Sequence, residues 1–138
     1  MDIRSIKAED TWPLRQSIMW PEHPIEFVKL ERDTTDGIHL GLFIEEQLVS
    51  IISLYINGYD MQFRKFATVV EQQGKGYGSL LLRYVIGMVG PQKGVKKIWC
   101  NARKAKANFY ERFGLVQTNK TYEKGGILFV VMEKIIQE

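Results

Sequence analysis

No aspartate or glutamate occurs between Gln72 and Tyr110. The same stretch carries Lys75, Arg83, Lys93, Lys96, Lys97, Arg103, Lys104 and Lys106, so its charge is of one sign. A dinucleotide-binding fingerprint at its glycine-rich start is excluded, because that site needs an acid roughly 20 residues on for the ribose hydroxyls. Cysteine is nearly absent too. Cys100 alone makes no internal disulfide, and His23 and His39 are too few beside it to build a zinc site, so no metal is expected. No apolar run approaches the ~20 residues that cross a bilayer, which argues against a membrane partner. The opening is charged, with Asp2, Arg4, Lys7, Glu9 and Asp10, and does not read as a signal peptide. The expected compartment is the cytoplasm.

What is there is ordinary globular material. With 138 residues, 45% of them apolar and 25% charged, the chain reads as a single domain spanning 1–138 around one core. Charge is divided unevenly. Residues 1–60 hold eleven acids against five bases, and residues 61–138 hold fourteen bases against five acids. The basic half suits a polyanion, and the acidic half suits a cationic amine. Nucleic acid is a poorer partner, since the aromatics do not interleave with the bases as a stacking platform requires.

Alternation and turn residues predict a first strand over 2–7, then a helix capped by Asp10, with Pro13 in its first turn, stopped by Pro21 and Pro24. Residues 21–36 give no clear pattern. Strands follow over 38–44, 48–56 and 61–70, with turns at Glu45-Glu46-Gln47 and Asn57-Gly58. A helix runs from about Gly76 to Val89, ended by Gly90-Pro91. A strand over 95–100, a helix over 104–113 closed by Gly114, and strands over 115–122 and 127–135 complete the order. Strands first, then strand and helix in alternation, is a mixed α/β arrangement.

Between the strand ending Val69-Val70 and the helix opening at Ser79 stands Gln73-Gly74-Lys75-Gly76-Tyr77-Gly78. Strand, glycine turn and helix start form an anion-binding arrangement, in which glycine lets a ligand approach the backbone and the free N–H groups point at it. A P-loop would need Ser or Thr after Lys75, where Gly76 stands. An ordinary glycine turn before a helix is the other reading of the same residues.

The spacing Gln-x-x-Gly-x-Gly over Gln73, Gly76 and Gly78 resembles the pyrophosphate loop of the GNAT superfamily, the acetyl-CoA-dependent N-acetyltransferases. A second segment, Asn101 to Leu115, resembles the family's Ala…Phe-Tyr-x-x-x-Gly-Phe helix, with Phe109-Tyr110 and Gly114 in place and Leu115 where the family often has Phe. The resemblance implies an α/β (α+β) fold: a twisted, largely antiparallel sheet of about seven strands flanked by helices. Parallel strands four and five would splay around the pantetheine arm of acetyl-CoA.

It also implies residues. Main-chain groups of Val69 and Val70 would pair with the pantetheine amides and polarise the thioester. Backbone N–H groups of Gln73, Gly74, Lys75, Gly76, Gly78 and Ser79 would hold the pyrophosphate. Tyr110 would be the general acid, since a phenol of pKa ~10 can protonate a departing thiolate. Asn101 and Asn108 would contact the coenzyme's amide or phosphate arm, Asn101 serving equally as a helix cap. Glu71 and His39 are the candidates for a general base, and neither is assigned. Cys100, alternating with Ile98, reads as a core residue and not as an acyl carrier.

The function implied is acetyl transfer to a primary amine of a small molecule or peptide by direct attack in a ternary complex. A coenzyme-binding sensor without catalysis would keep the Gly76–Gly78 loop and not need Tyr110. The aliphatic last strand could pair with a second copy as an exposed edge, giving a homodimer.

Overall fold

The computed structural model of the chain describes residues 1–137. Seven strands form one sheet in the order β1-β2-β3-β4-β5-β7-β6. They are β1 (Asp2–Ile6), β2 (Ile38–Ile44), β3 (Gln47–Asn57), β4 (Asp60–Thr68), β5 (Lys97–Arg103), β6 (Val116–Lys124) and β7 (Ile127–Ile135). Each neighbouring pair is antiparallel except β4 and β5, which run parallel. Among the described residues no helix is long and apolar enough to cross a membrane.

Period-two alternation divides β3 between the faces of the sheet. Ile52 and Leu54 join Leu40, Leu42, Met61 and Phe63 in the main core, covered by Leu81, Leu82 and Val85. The covering helix is α2 (Tyr77–Tyr84), which continues through a π turn at Val85–Val89 into α3 (Gly90–Gln92). Gly90-Pro91 therefore does not end the helical path. Pro91 falls at the start of α3, where its missing N–H costs little.

Ser53 and Tyr55 turn to the other face, under α1 (Ala8–Met19). This helix begins a turn earlier than expected. Lys7 is its N-cap, and Asp10 sits three residues inside, its carboxylate accepting the Lys7 N–H at 2.9 Å. Pro13 accordingly lies in the helix interior. α4 (Ala107–Glu111), preceded by a 3-10 turn over Lys104–Lys106, is shorter than the helix predicted there.

Under α1 lies a buried polar network with no sequence signature. The Arg15 guanidinium grips Asp33 through two nitrogens, at 2.7 and 3.0 Å, and also donates to the Val28 carbonyl and Ser53 Oγ. Asp33 further accepts from Tyr55 Oη at 2.5 Å, Trp12 Nε1 at 3.0 Å and the Leu30 N–H at 2.8 Å. His39 bridges Ser53 Oγ (2.7 Å) and the Asp33 carbonyl (2.9 Å). The network fastens the irregular segment 20–37 to the sheet, giving those residues a fixed place without regular structure. Burial by itself would raise the Asp33 pKa, but the bonds from Arg15, Tyr55, Leu30 and Trp12 outweigh it and hold the carboxyl well below the usual range.

Arg15→Met leaves Asp33 enclosed and uncompensated, and urea unfolding at neutral pH should show a loss of about 3–5 kcal/mol. The depressed Asp33 pKa contributes stability that is whole above about pH 4 and is lost as pH falls through the folded-state value. Asp33→Asn should thus be less stable than wild type at neutrality, yet change less in stability on acidification from about pH 5 to pH 2.

Candidate active site

The sheet opens between its two parallel strands. β4 and β5 are paired only at Asp60–Lys97, Met61–Ile98 and Gln62–Trp99. Beyond Gln62, β4 follows β3 while β5 follows β7, and a wedge-shaped gap separates them. A bulge lies at the point of departure. Ser53 opposes Arg64 and Ile51 opposes Ala67, leaving Lys65 and Phe66 against Ile52. Lys65 takes φ +54°, a left-handed value uncommon for a residue with a side chain. No residue type marks this bulge in advance, because Arg64-Lys65-Phe66 lacks the glycine that often stands at such a site.

Aromatic rings fill the α2 side of the gap. Tyr110 on α4 packs against Phe63 of β4 at 5.8 Å between centroids and against Phe109 at 5.2 Å. Phe109 also meets Phe66 at 6.3 Å and, one turn on, Phe113 at 5.1 Å. The Tyr110 hydroxyl has no hydrogen-bond partner among the described residues. Burial, with a smaller contribution from Cys100 close by, raises its pKa above the ordinary value of 10. Cys100 is itself buried, and burial pushes its thiol up to about 12. It remains a neutral core residue.

The glycine loop stands where β4 ends. After Thr68 the chain makes a 3-10 turn over Val70–Gln72 and enters α2 through Gly74 and Gly76, at φ +81° and +86°. The amides of residues 74–79 donate to no group of the described chain, and the helix's first turn closes with the Leu80 N–H on the Gly76 carbonyl at 3.1 Å. Gly74, Lys75, Gly76, Gly78 and Ser79 thus keep free N–H groups at one place. Gln73 does not. Its N–H is spent on the Val70 carbonyl at 3.2 Å, and its side-chain amide caps the Thr68 carbonyl at 2.9 Å. The Lys75 ammonium turns to Gln72 Oε1 at 3.0 Å. The loop also gives each glycine a different reason. A Cβ on Gly76 would meet nothing within 4 Å, whereas one on Gly78 would lie 3.2 Å from Thr68 Oγ1 and 3.3 Å from the Phe66 ring.

Val69 and Val70 need correction. The Val69 N–H donates to the Val49 carbonyl of β3 at 2.9 Å, so that residue's main chain faces away from the gap. Main-chain groups alternate edges along a strand, which turns Thr68 and Phe66 toward the gap instead. Val70 has left the strand for the 3-10 turn. The two asparagines do not join Tyr110 either. Asn101 alternates with buried Cys100 and points to the opposite face, where it lines a cavity of about 380 Å³ with Asn57, Asp60, Lys97, Trp99 and Lys120. Asn108 is exposed and, two residues before Tyr110, lies about 200° round the helix from it. His39 is enclosed in the Arg15–Asp33 network, and Glu71 is exposed. Among the described residues no group of three His, Cys, Asp or Glu is arranged to hold a metal ion.

Because its Cβ would press on β4, Gly78→Val should lower the melting temperature by several degrees in a thermal scan. Lys75→Gln, on the exposed loop, should leave it within about 1 °C.

Comparison with known proteins agrees with this geometry. The family model described as "Acetyltransferase (GNAT) domain" matches residues 21–136. The uncharacterized N-acetyltransferase YitI of Bacillus subtilis (strain 168) is 28% identical over 146 residues, covering 99% of this chain and 97% of its own. An aminoglycoside 6'-N-acetyltransferase, crystallised with coenzyme A, superposes with a TM-score of 0.81 at 14% identity, covering 100% of this chain and 98% of that one. The ribosomal-protein-S18-alanine N-acetyltransferase of Escherichia coli gives 0.79 at 16% identity, over 99% of this chain and 94% of that one. At such identities the superpositions speak for the fold, a seven-stranded mixed sheet parted between β4 and β5. Taken with the match over residues 21–136, they lead to one conclusion: the chain is an acyltransferase of the GNAT family.

Proposed function

We propose that this protein moves the acetyl group of acetyl-CoA to a primary amine, by direct attack within a ternary complex. The observation that carries the reading is the set of unpartnered N–H groups over residues 74–79, at the mouth of a gap whose inner wall holds Tyr110. Free amides at a helix start, behind glycines that leave the surface open, fit a diphosphate. Acetyl-CoA would supply the thioester carbonyl that the amine attacks.

The protein's own groups then have distinct tasks. Gly74, Lys75, Gly76, Gly78 and Ser79 hold the diphosphate through the backbone. Main-chain groups of Phe66 and Thr68, on the edge of β4 that faces the gap, take the role first expected of Val69 and Val70. They position the pantetheine arm and polarise the carbonyl, an effect worth a few kcal/mol where donors meet developing charge. The neutral amine forms the new C–N bond as the C–S bond breaks. Tyr110 gives its phenolic proton to the departing sulfur, and the nitrogen releases its surplus proton to water. Burial keeps the phenol protonated through the working range, and the phenolate left by the transfer regains a proton from water as the thiol departs. The lone thiol is too well buried and too weakly acidic to act as an acyl carrier. A cytoplasmic setting, where acetyl-CoA is made and used, is part of the proposal.

Tyr110→Phe should lower kcat roughly 100-fold while coenzyme A affinity, measured by calorimetry, stays within about threefold. Deprotonation of Tyr110 should cause no loss of kcat below about pH 10. A lower alkaline limb that vanished in Tyr110→Phe would overturn the raised pKa, whereas an unaltered kcat and pH profile in that variant would exclude Tyr110 as the acid. Gly76→Val should weaken coenzyme A binding by about tenfold or more, since its side chain enters the open space before the amides and its φ of +86° bars a β-branched residue from the loop's conformation. Unchanged affinity would remove the loop from the site, and coenzyme binding with no thiol release on any amine would leave a sensor in place of an enzyme.

A further inference from the structure

The face of the gap opposite Tyr110 carries positive charge without acceptors. Lys65, at the bulge, directs its ammonium toward α1, where it lies 6.0 Å from the centre of the Trp20 ring. It is half-buried and has no hydrogen bond or ion pair among the described residues. Arg64 beside it is likewise unpaired and lines a cavity of about 170 Å³ with Leu30, Glu31, Arg32, Tyr55 and Gln62. Lys124, at the tip of the β6–β7 hairpin, is a third unpaired cation close enough to repel Lys65. Trp20 closes the side, packed edge-on against Phe27 and His23, with an indole N–H that is enclosed and meets no acceptor.

The acids in this region are committed elsewhere or sit at its margin. Asp33 belongs to Arg15, Asp36 to Arg32 and Glu26 to Lys29. Glu31, on the cavity rim, and Glu22 and Glu123 are exposed and unpaired. Eleven acids against five bases keep the first half of the chain acidic, but its free acids here, Glu22 and Glu31, are exposed at the margin and do not furnish a cationic-amine site.

We infer that the acceptor is a small amine that also carries an anionic group, held by Lys65 with Arg64 and Lys124 against the Trp20 wall. The inference rests on the acetyl-transfer reading and specifies its acceptor. A half-buried ammonium with no counter-charge is costly, and a bound carboxylate or phosphate relieves it. Burial foremost, then Arg64, Arg15 and Lys124, already lower the Lys65 pKa, with Asp33 offsetting part of the effect. The left-handed backbone at Lys65 holds this side chain one residue from Phe66, whose main chain faces the gap. An anion seated there brings its attached amine to the thioester. The same cations disfavour the ammonium form of that amine, so it arrives neutral without a dedicated base.

The test uses N-acetylglycine and N-acetylglycinamide, which differ only in charge, with acetamidomethylphosphonate as the phosphate-like arm. Each is titrated into the protein with and without saturating coenzyme A, following the Trp20 indole N–H by NMR, assigned through Trp20→Phe. We expect at least one acid to bind tenfold or more tighter than the amide and to move the Trp20 signal, the preferred arm telling carboxylate from phosphate. Lys65→Asn, which accepts a left-handed backbone readily, should abolish the preference, and Lys124→Gln should reduce it. Equal binding of both acids and the amide, or a preference that survives Lys65→Asn, would overturn the inference. Coenzyme A binding and thiol release are read in parallel. Their failure would strike the acetyl-transfer proposal, while the acid-against-amide comparison still decides the anion subsite.

Discussion

The parting of β4 from β5 is the constraint around which this molecule is built. Parallel strands that stayed paired would close the sheet and leave the main chain of β4 fully used. Pairing here stops after three residues, and the separation is held from both faces. Phe63, Phe66, Phe109 and Tyr110 wedge it on the α2 side. The bulge at Lys65 bends β4 toward β3 and turns a long polar side chain to the α1 side. One departure from regular pairing thus supplies free backbone groups, an aromatic wall and a cationic lip within a few residues.

The Arg15–Asp33 network gives that opening a stable flank. Segment 20–37 has one short 3-10 turn and otherwise depends on side chains to stay in place. A carboxylate satisfied by Arg15, Trp12, Tyr55 and the Leu30 N–H ties α1, the irregular segment and β3 together. Replacing such a cluster by apolar residues can be neutral for stability, so its value here lies in fixing one geometry for Trp20 and its neighbours. The Trp20 wall and the glycine loop are accordingly held by different means, polar on one face and apolar on the other.

Much of the fold was legible because its signals are local. Alternation, β-branched runs and turn residues together marked the seven strands, and Gln73-Gly74-Lys75-Gly76-Tyr77-Gly78 announced a loop with bare amides. Errors fell where a local rule met a tertiary one. Asp10 looked like a cap, yet Lys7 preceded it in that role and Asp10 became its partner. Gly90-Pro91 looked like a stop, yet a π turn shifted the register and Pro91 began a further helical turn. Val69 was placed on the ligand edge of β4, and a single residue of register puts it on the other. Asn101 and Asn108 were expected at the coenzyme's arm; strand alternation turns Asn101 to the face opposite Cys100, and helix periodicity sets Asn108 about 200° round from Tyr110.

By itself, the sequence determined the order of elements, the glycine loop and the tyrosine on its helix, because each depends on residues close together in the chain. Tertiary structure alone decided which backbone groups remain free, how Arg15 finds Asp33 across 18 positions, and why Lys65 stands without a counter-charge. The physical reason is that hydrogen-bond satisfaction and electrostatic pairing are properties of neighbours in space. A strand one residue out of phase, or a bulge with no glycine to mark it, reverses them without leaving a trace in the pattern of residues.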